Sequence, residues 1–376
     1  DYQRALELGV AMPEEVHLNR AVILSDHLHR PKEARAELDR ALALNPRFVP
    51  ALLNLGNWHE DHGERARAQT CYRRALDVAP DNALALARLA GVAESADPEL
   101  IDRLRRALMG GQGEDRADLG FALARLLDQA GQHDEAFDAA TAANCALREL
   151  SGPAGRYNRA AVDDFVDRTI AAFAMPISDR HTAEAEPIFI CGLFRSGSTL
   201  VERVLAGDPR ALALGELDLI PAIAARIPAY PEGVARAAPV DLERWREAYR
   251  SALPPQAAHR FVIDKRPDNF LHLGLIKTIF PRARIVHTTR EPADALMSIF
   301  FAHLHPELSY ATDLGDLKHW HGAYQRLMAH WTALYEDDIL TLSYDALVGA
   351  PERETRRLFE FCGLEWSEHA LAFEQR

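Results

Sequence analysis

No run of 18 apolar residues occurs in this chain, so no transmembrane helix is expected. Cysteine is scarce: Cys71, Cys145, Cys191 and Cys362 lie far apart, with no C-x-x-C pair. That argues against a disulfide framework or a cysteine zinc site and suits a reducing compartment. Positive charge is in deficit, with 43 Lys and Arg against 56 Asp and Glu and a net charge of -13. Nucleic-acid binding needs a basic surface, so none is expected here, and any anion site must be local. Lysine is scarcest of the charged types: only Lys32, Lys265, Lys277 and Lys318 occur. Arg supplies the ordinary surface cations, so a Lys inside a motif stands out. No secretory segment is visible.

What is present is an ordinary globular mixture, 48% hydrophobic and 26% charged over 376 residues. That length predicts two or three domains. Repeats come first. "RALALNP" at 40–46 returns as "RALDVAP" at 74–80, a spacing of 34. Gly56, Gly63, Ala68, Ala75 and Pro80 fall at the small-residue positions of a tetratricopeptide repeat, and Gly131, Ala136 and Ala143 mark a further unit. The unit between them, around 82–113, is degenerate. Residues 1–150 therefore read as three to four stacked helix pairs, with the opening "DYQRALELG" as the second helix of an earlier repeat. Such an array offers a groove for a protein partner, or serves as a packing module. Residues 151–186 read as a loop and helix linking to the second part.

From 187 the pattern alternates. Short apolar runs at 187–192, 260–265, 283–289 and 338–344 read as buried strands of a mostly parallel sheet. Helical segments are expected near 198–206, 216–227, 241–253, 269–279, 291–302 and 314–335. The predicted fold is an α-solenoid followed by an α/β P-loop-like domain over 187–376. Ligands of such a sheet lie outside the carboxyl ends of its strands.

After the first strand comes Gly192-Leu-Phe-Arg-Ser-Gly197-Ser198-Thr199 and then a helix. The spacing is that of a nucleotide-binding loop, G-x-x-x-x-G-K-S/T, with Ser198 in place of the Lys. Without that Lys, the cation that reaches the outer phosphates is missing, so nucleoside triphosphate chemistry is disfavoured. A ring of backbone N–H groups, Arg195 and two hydroxyls remains, enough for one phosphate.

This segment resembles the 5′-phosphosulfate loop of sulfotransferases, whose donor is 3′-phosphoadenosine 5′-phosphosulfate. The family pattern is Pro-Arg-Ser-Gly-Thr-Thr; here Phe194 replaces the Pro and Ser198 the first Thr. The resemblance implies that Arg195, Ser196, Gly197, Ser198 and Thr199 bind the donor. It also implies an Arg at a strand end with a Ser eight residues on, for the 3′-phosphate. "RIVHTTREPADALMSIFF" supplies Arg290 and Ser298. "ALGELDLI" resembles the Gly-Glu of tyrosylprotein sulfotransferases, which makes Glu216 the catalytic base. "VIDKRPDNF" makes Lys265 the residue steadying the leaving phosphate, and "LSYDALVGAPE" puts Tyr344 beside the 3′-phosphate. With the repeats, the whole chain resembles a bacterial tetratricopeptide-repeat sulfotransferase. The resemblance implies an acceptor hydroxyl on a tyrosine of a peptide or protein, with a carbohydrate or small molecule as the alternative. Family members continue past the "FEQR" end with a segment that closes over the donor.

No metal is required in this scheme. His303, His305, His319, His321 and His330 cluster, but no Asp, Glu or Cys pattern of a metal motif accompanies them. His303 or His305 is the candidate to line the acceptor pocket. The location expected is cytoplasmic, because the donor is made in the bacterial cytosol. Rival readings are another P-loop enzyme, a kinase or triphosphatase, and a repeat scaffold that binds nucleotide without activity.

Overall fold

The computed structural model describes residues 2–28, 30–176, 186–257, 260–304 and 308–371. It divides into two compact units, Asp1–Arg156 with Phe300–Thr312, and Tyr157–Ile299 with Asp313–Arg376.

The first unit is helical: α1 (Tyr2–Glu7), α2 (Pro13–Val22), α3 (Pro31–Leu44), α4 (Val49–Asp61), α5 (Arg65–Val78), α6 (Ala83–Gly91), α7 (Pro98–Gly110), α8 (Gly113–Gln129) and α9 (His133–Ser151). Helices α2 and α3, α4 and α5, and α8 and α9 pair along their lengths. Small residues set those close crossings. A methyl group added at Gly56 would lie 2.2 Å from the buried Tyr72 ring, and one at Gly120 would lie 2.8 Å from Ala143 Cβ. The degenerate unit is where pairing changes: α6, only nine residues long, packs chiefly on α8 instead of on α7. Pro46 and Pro80 lie in the turns after α3 and α5, as the repeat requires.

The second unit contains α10 (Arg159–Ala172), β1 (Ile188–Gly192), α11 (Ser198–Leu205), β2 (Ala211–Ala213), α12 (Leu219–Ala224), α13 (Glu232–Ala235), α14 (Pro239–Ser251), β3 (Phe261–Lys265), α15 (Leu273–Ile279), β4 (Arg284–Thr289), α16 (Pro292–Phe300), α17 (Leu314–Leu334), β5 (Ile339–Ser343), α18 (Tyr344–Gly349) and α19 (Pro351–Cys362). The sheet runs in the order β2-β3-β1-β4-β5, and every neighbouring pair is parallel. Alternate strand residues feed two cores. Phe189, Cys191 and Ile285 meet Phe280, Leu327 and Trp331 on one face. Ile188, Ile190 and Val286 meet Val201, Leu358 and Phe359 on the other. Because β1 is flanked by β3 on one side and β4 on the other, the crevice of this sheet opens at the carboxyl end of β1.

Two helix starts differ from the sequence reading. The helix expected from 216 begins at Leu219, because Gly215 takes φ +67 and Glu216 sits in a bend. The stretch expected as helix from 269 is first a 3-10 turn, Pro267–His272, and becomes α-helical at Leu273. Within the segment expected as linker and helix, α10 packs on α17, and Arg168 grips Glu232 through two 2.7 Å bonds.

Candidate active site

The loop after β1 is held by buried hydrogen bonds. Ser196 Oγ donates to the Leu193 carbonyl at 2.6 Å and meets Thr288 Oγ1 of β4 at 2.7 Å. Thr288 Oγ1 also donates to the Cys191 carbonyl at 3.2 Å. The Ser196 N–H donates to the same Leu193 carbonyl at 3.2 Å, so both polar groups of this residue bond within the loop. Ser196 braces the loop from a buried position. Gly192 must be Gly, because an added methyl would meet the Thr288 carbonyl at 2.3 Å. Gly197, at φ +93, turns the chain into α11, and an added methyl would strike the Tyr344 ring at 2.6 Å.

Beyond that turn, α11 starts at Ser198; the N–H groups of Leu200 and Val201 already donate to the Gly197 carbonyl, which leaves those of Ser198 and Thr199 as the first-turn donors without an intrahelical acceptor. Ser198 is buried, while Arg195 and Thr199 are exposed. Arg195 has a positive φ of 68, and its Nε donates to Ser298 Oγ at 2.9 Å. The structure thus joins two sequence-predicted residues 103 positions apart.

Arg290 lies just past β4. Its guanidinium stands 5.1 Å above the Tyr344 ring, at the start of α18, and its Nη2 is 3.9 Å from Asp294. Arg290 Nε is buried and, among the described residues, has no hydrogen-bond partner. A buried unpaired guanidinium N–H is costly, and an anion at this place would satisfy it.

On the other side of β1, β3 ends at Lys265, buried to 7% exposure, whose Nζ donates to Glu216 Oε1 at 2.6 Å. Glu216 is 44% exposed. Gly215 carries this pair: its carbonyl accepts the Lys265 N–H at 3.1 Å, and its own N–H donates to Glu202 Oε1 at 2.8 Å. Burial raises the Glu202 carboxyl above its ordinary value, against the pull of the Gly215 N–H and Lys265. Behind Lys265, burial pushes Asp264 up to about 6, although Tyr249 and Asn269 donate to it.

Beside the loop is a cavity of about 770 Å³ lined by Ser196, Thr288, Arg290, Tyr324, Met328 and Glu336, among others. His287, against Thr341 Oγ1 and the Tyr324 hydroxyl, borders it, and burial lowers its imidazole to about 4. His303 belongs to the first unit, stacked on Phe121 and 2.9 Å from Asp118. His305 and the "FEQR" end lie outside the described residues. Sequence reasoning missed Thr288 and Glu202. The first is one of two adjacent threonines in a strand, and the second reads as one more charged helix residue, so neither carries a local signal. Among the described residues no group of three His, Cys, Asp or Glu gathers as metal ligands.

Residues 187–368 match the sulfotransferase family, and residues 49–82 match a tetratricopeptide repeat. An uncharacterized protein of Aquifex aeolicus (strain VF5) is 30% identical over 281 residues, covering 69% of this chain. The chain spans only 36% of that relative's length. Among solved structures, the sulfotransferase domain of the Synechococcus PCC 7002 olefin synthase is 22% identical, covers 52% of this chain and 80% of that one, and has a TM-score of 0.37. A sulfotransferase of Mycobacterium tuberculosis H37Rv is 15% identical, covers 78% of this chain and 86% of that one, and has a TM-score of 0.36.

Proposed function

Because residues 187–368 carry a sulfotransferase family domain, we propose that this chain moves a sulfuryl group from 3′-phosphoadenosine 5′-phosphosulfate to an acceptor hydroxyl. The observation that carries the donor assignment is the pair of basic side chains outside adjacent strands, Arg195 bonded to Ser298 and Arg290 over Tyr344 with a buried, unpaired Nε. Two anion sites flanking one glycine turn fit a nucleotide with phosphates on both its 3′ and 5′ positions.

In this reading the N–H groups and hydroxyls at Gly197, Ser198 and Thr199, with Arg195, hold the 5′-phosphate. Arg290 and Ser298 hold the 3′-phosphate, with Tyr344 supporting the guanidinium. The donor, when bound, supplies an activated sulfuryl group with adenosine 3′,5′-bisphosphate as its leaving group. Glu216 accepts the proton of the acceptor hydroxyl at its carboxylate, which frees Lys265 Nζ from the ion pair. Lys265 and Arg195 then place positive charge where the leaving phosphate gains negative charge. Positioning and electrostatics supply the catalysis, as in other transfers between oxyanions. With Ser198 in place of the loop Lys, the loop lacks the cation that would reach a γ-phosphate.

For the acceptor, a tyrosine of a peptide or protein is the reading favoured. Glu216 is 44% exposed in a bend outside the strands, open to a hydroxyl borne on a large molecule, and the repeats add a surface for such a partner. A carbohydrate or small-molecule hydroxyl is the alternative acceptor. No described helix is long and apolar enough to cross a membrane, and a cytosolically made donor favours a cytoplasmic site of action.

The test is calorimetric titration of adenosine 3′,5′-bisphosphate, ATP and AMP into the protein and its Arg290→Ala variant. Tight binding of the bisphosphate alone, lost in the variant, is expected. A preference for ATP returns the chain to the kinase or triphosphatase reading. Bisphosphate binding without sulfuryl transfer to any acceptor leaves an inactive nucleotide-binding scaffold.

A further inference from the structure

Glu202 does no chemistry in the scheme above, yet it is a carboxylate buried to 8% exposure in the helix that starts at the donor loop. It follows Ser198 by four positions, so both residues lie on one face of α11, one turn apart. Its Oε1 takes the N–H of Gly215 at 2.8 Å. The Gly215 carbonyl is taken in turn by the Lys265 N–H at 3.1 Å. One residue, at a left-handed φ of +67, is therefore gripped at both its N–H and its carbonyl, by α11 and by β3. The next residue along is Glu216, whose carboxylate meets Lys265 Nζ at 2.6 Å.

A buried carboxylate that accepts one backbone N–H is an expensive way to satisfy a turn; water or a backbone carbonyl would serve an ordinary loop. We infer that Glu202 is a positioning residue: it fixes the Gly215 turn, and so the Glu216–Lys265 pair, relative to the loop that begins the same helix. The inference rests on the reading of Glu216 and Lys265 as the reacting pair, although the clamp itself is measurable without donor. A side chain gripping Gly215 from β2 or α12 would hold the turn without registering it to α11. The grip comes instead from α11, one helical turn after the donor loop.

The test uses the full chain and its Glu202→Ala and Glu202→Gln variants. Amide hydrogen exchange is followed at Gly215. With [13Cε]lysine labelling, the protein has only four lysine signals, and Lys265 is assigned through Lys265→Arg. Glu202→Ala is expected to speed exchange at Gly215 about tenfold or more, the scale of a lost hydrogen bond to a charged group, and to displace the Lys265 signal. Glu202→Gln keeps an acceptor oxygen in the same place and is expected to restore most of the protection and the signal position. If the Ala variant does not fold, Glu202→Leu, which fills the volume without an acceptor, carries the same two readings. Unchanged exchange in the truncated variant, or a Gln variant that behaves like Ala, overturns the inference. Wild-type protein that fails to bind adenosine 3′,5′-bisphosphate while these readings come out as expected sinks the donor reading and leaves the clamp standing.

Discussion

In the proposed reaction Glu216 and Lys265 form one pair that is both structural and reactive. Lys265 is buried at the end of β3, and a buried ammonium needs a partner, which Glu216 supplies. The partner that stabilises the resting pair is, in that proposal, also the group that takes the acceptor's proton. Glu216→Gln keeps the shape and a weaker hydrogen bond but cannot accept that proton. Its turnover is expected to fall by about 10²–10⁴-fold, the usual worth of a general base, with bisphosphate affinity held within a few-fold. Steady-state kinetics beside calorimetry checks both halves; loss of affinity with unchanged turnover would assign Glu216 to binding instead.

Elements cross where small residues let them, and the tetratricopeptide part depends on this most. The ring of Tyr72 in α5 is fully buried over Gly56 of α4, and its hydroxyl bonds Asn57 and Glu60. A methyl at 56 would sit 2.2 Å from that ring, which cannot retreat without breaking its own hydroxyl bonds. Gly56→Ala is expected to cost about 1–3 kcal/mol, the range of an overpacked core, despite the better helix propensity of Ala. Chemical denaturation followed by helical circular dichroism checks it. A neutral or stabilising result would mean that α4 and α5 separate freely.

Over the whole molecule, acid titration sets two opposing terms against each other. His287 and His272 are held near 4 by burial, below the ordinary 6.5, so the unfolded chain binds their protons more readily. Their contribution is present above pH 6.5 and is lost as pH falls towards 4. Asp264 is the reverse: with its carboxyl pushed up to about 6, its contribution is full below about pH 4 and is lost as pH rises through 6. For the well-buried His287 and Asp264 each term is about 3 kcal/mol and the two are opposite in sign, with His272 adding to the side that destabilises in acid. Urea midpoints at pH 7, 5.5 and 4.5 are expected to fall with pH, and to fall more steeply in Asp264→Asn, which lacks the offset. An equal slope in the variant would mean that Asp264 is ionised throughout. Chain organisation makes a second prediction at this scale. The first unit takes Phe300–Thr312 from the far half of the sequence, where the Phe300 carbonyl accepts from Asn144 at 2.8 Å and His303 pairs with Asp118. Deleting residues 1–156 strips that segment of these partners. The 157–376 fragment is expected to melt below the full chain and to gain protease cleavage near 300–304. Equal melting and resistance would show that the segment needs no partners.

The sequence by itself determined the repeat array, the later alternation of strand and helix, the glycine loop after β1 and the places of Arg290, Ser298, Glu216 and Lys265. These features rest on local rules, namely helical spacing of small residues, buried apolar runs and turns that only Gly can make. Only the tertiary structure decided which of those residues meet. The order β2-β3-β1-β4-β5 brings β4 beside β1, so that Ser196 turns inward to Thr288 and Arg195 reaches Ser298. The same order sets β3 on the other flank, where Lys265 finds Glu216 and the Gly215 turn finds Glu202. It also decided that α6 packs on α8 and that Phe300–Thr312 belongs with the repeats. Contacts between residues tens to a hundred positions apart follow from strand order and side-chain direction, and neither is written in the spacing of a linear motif.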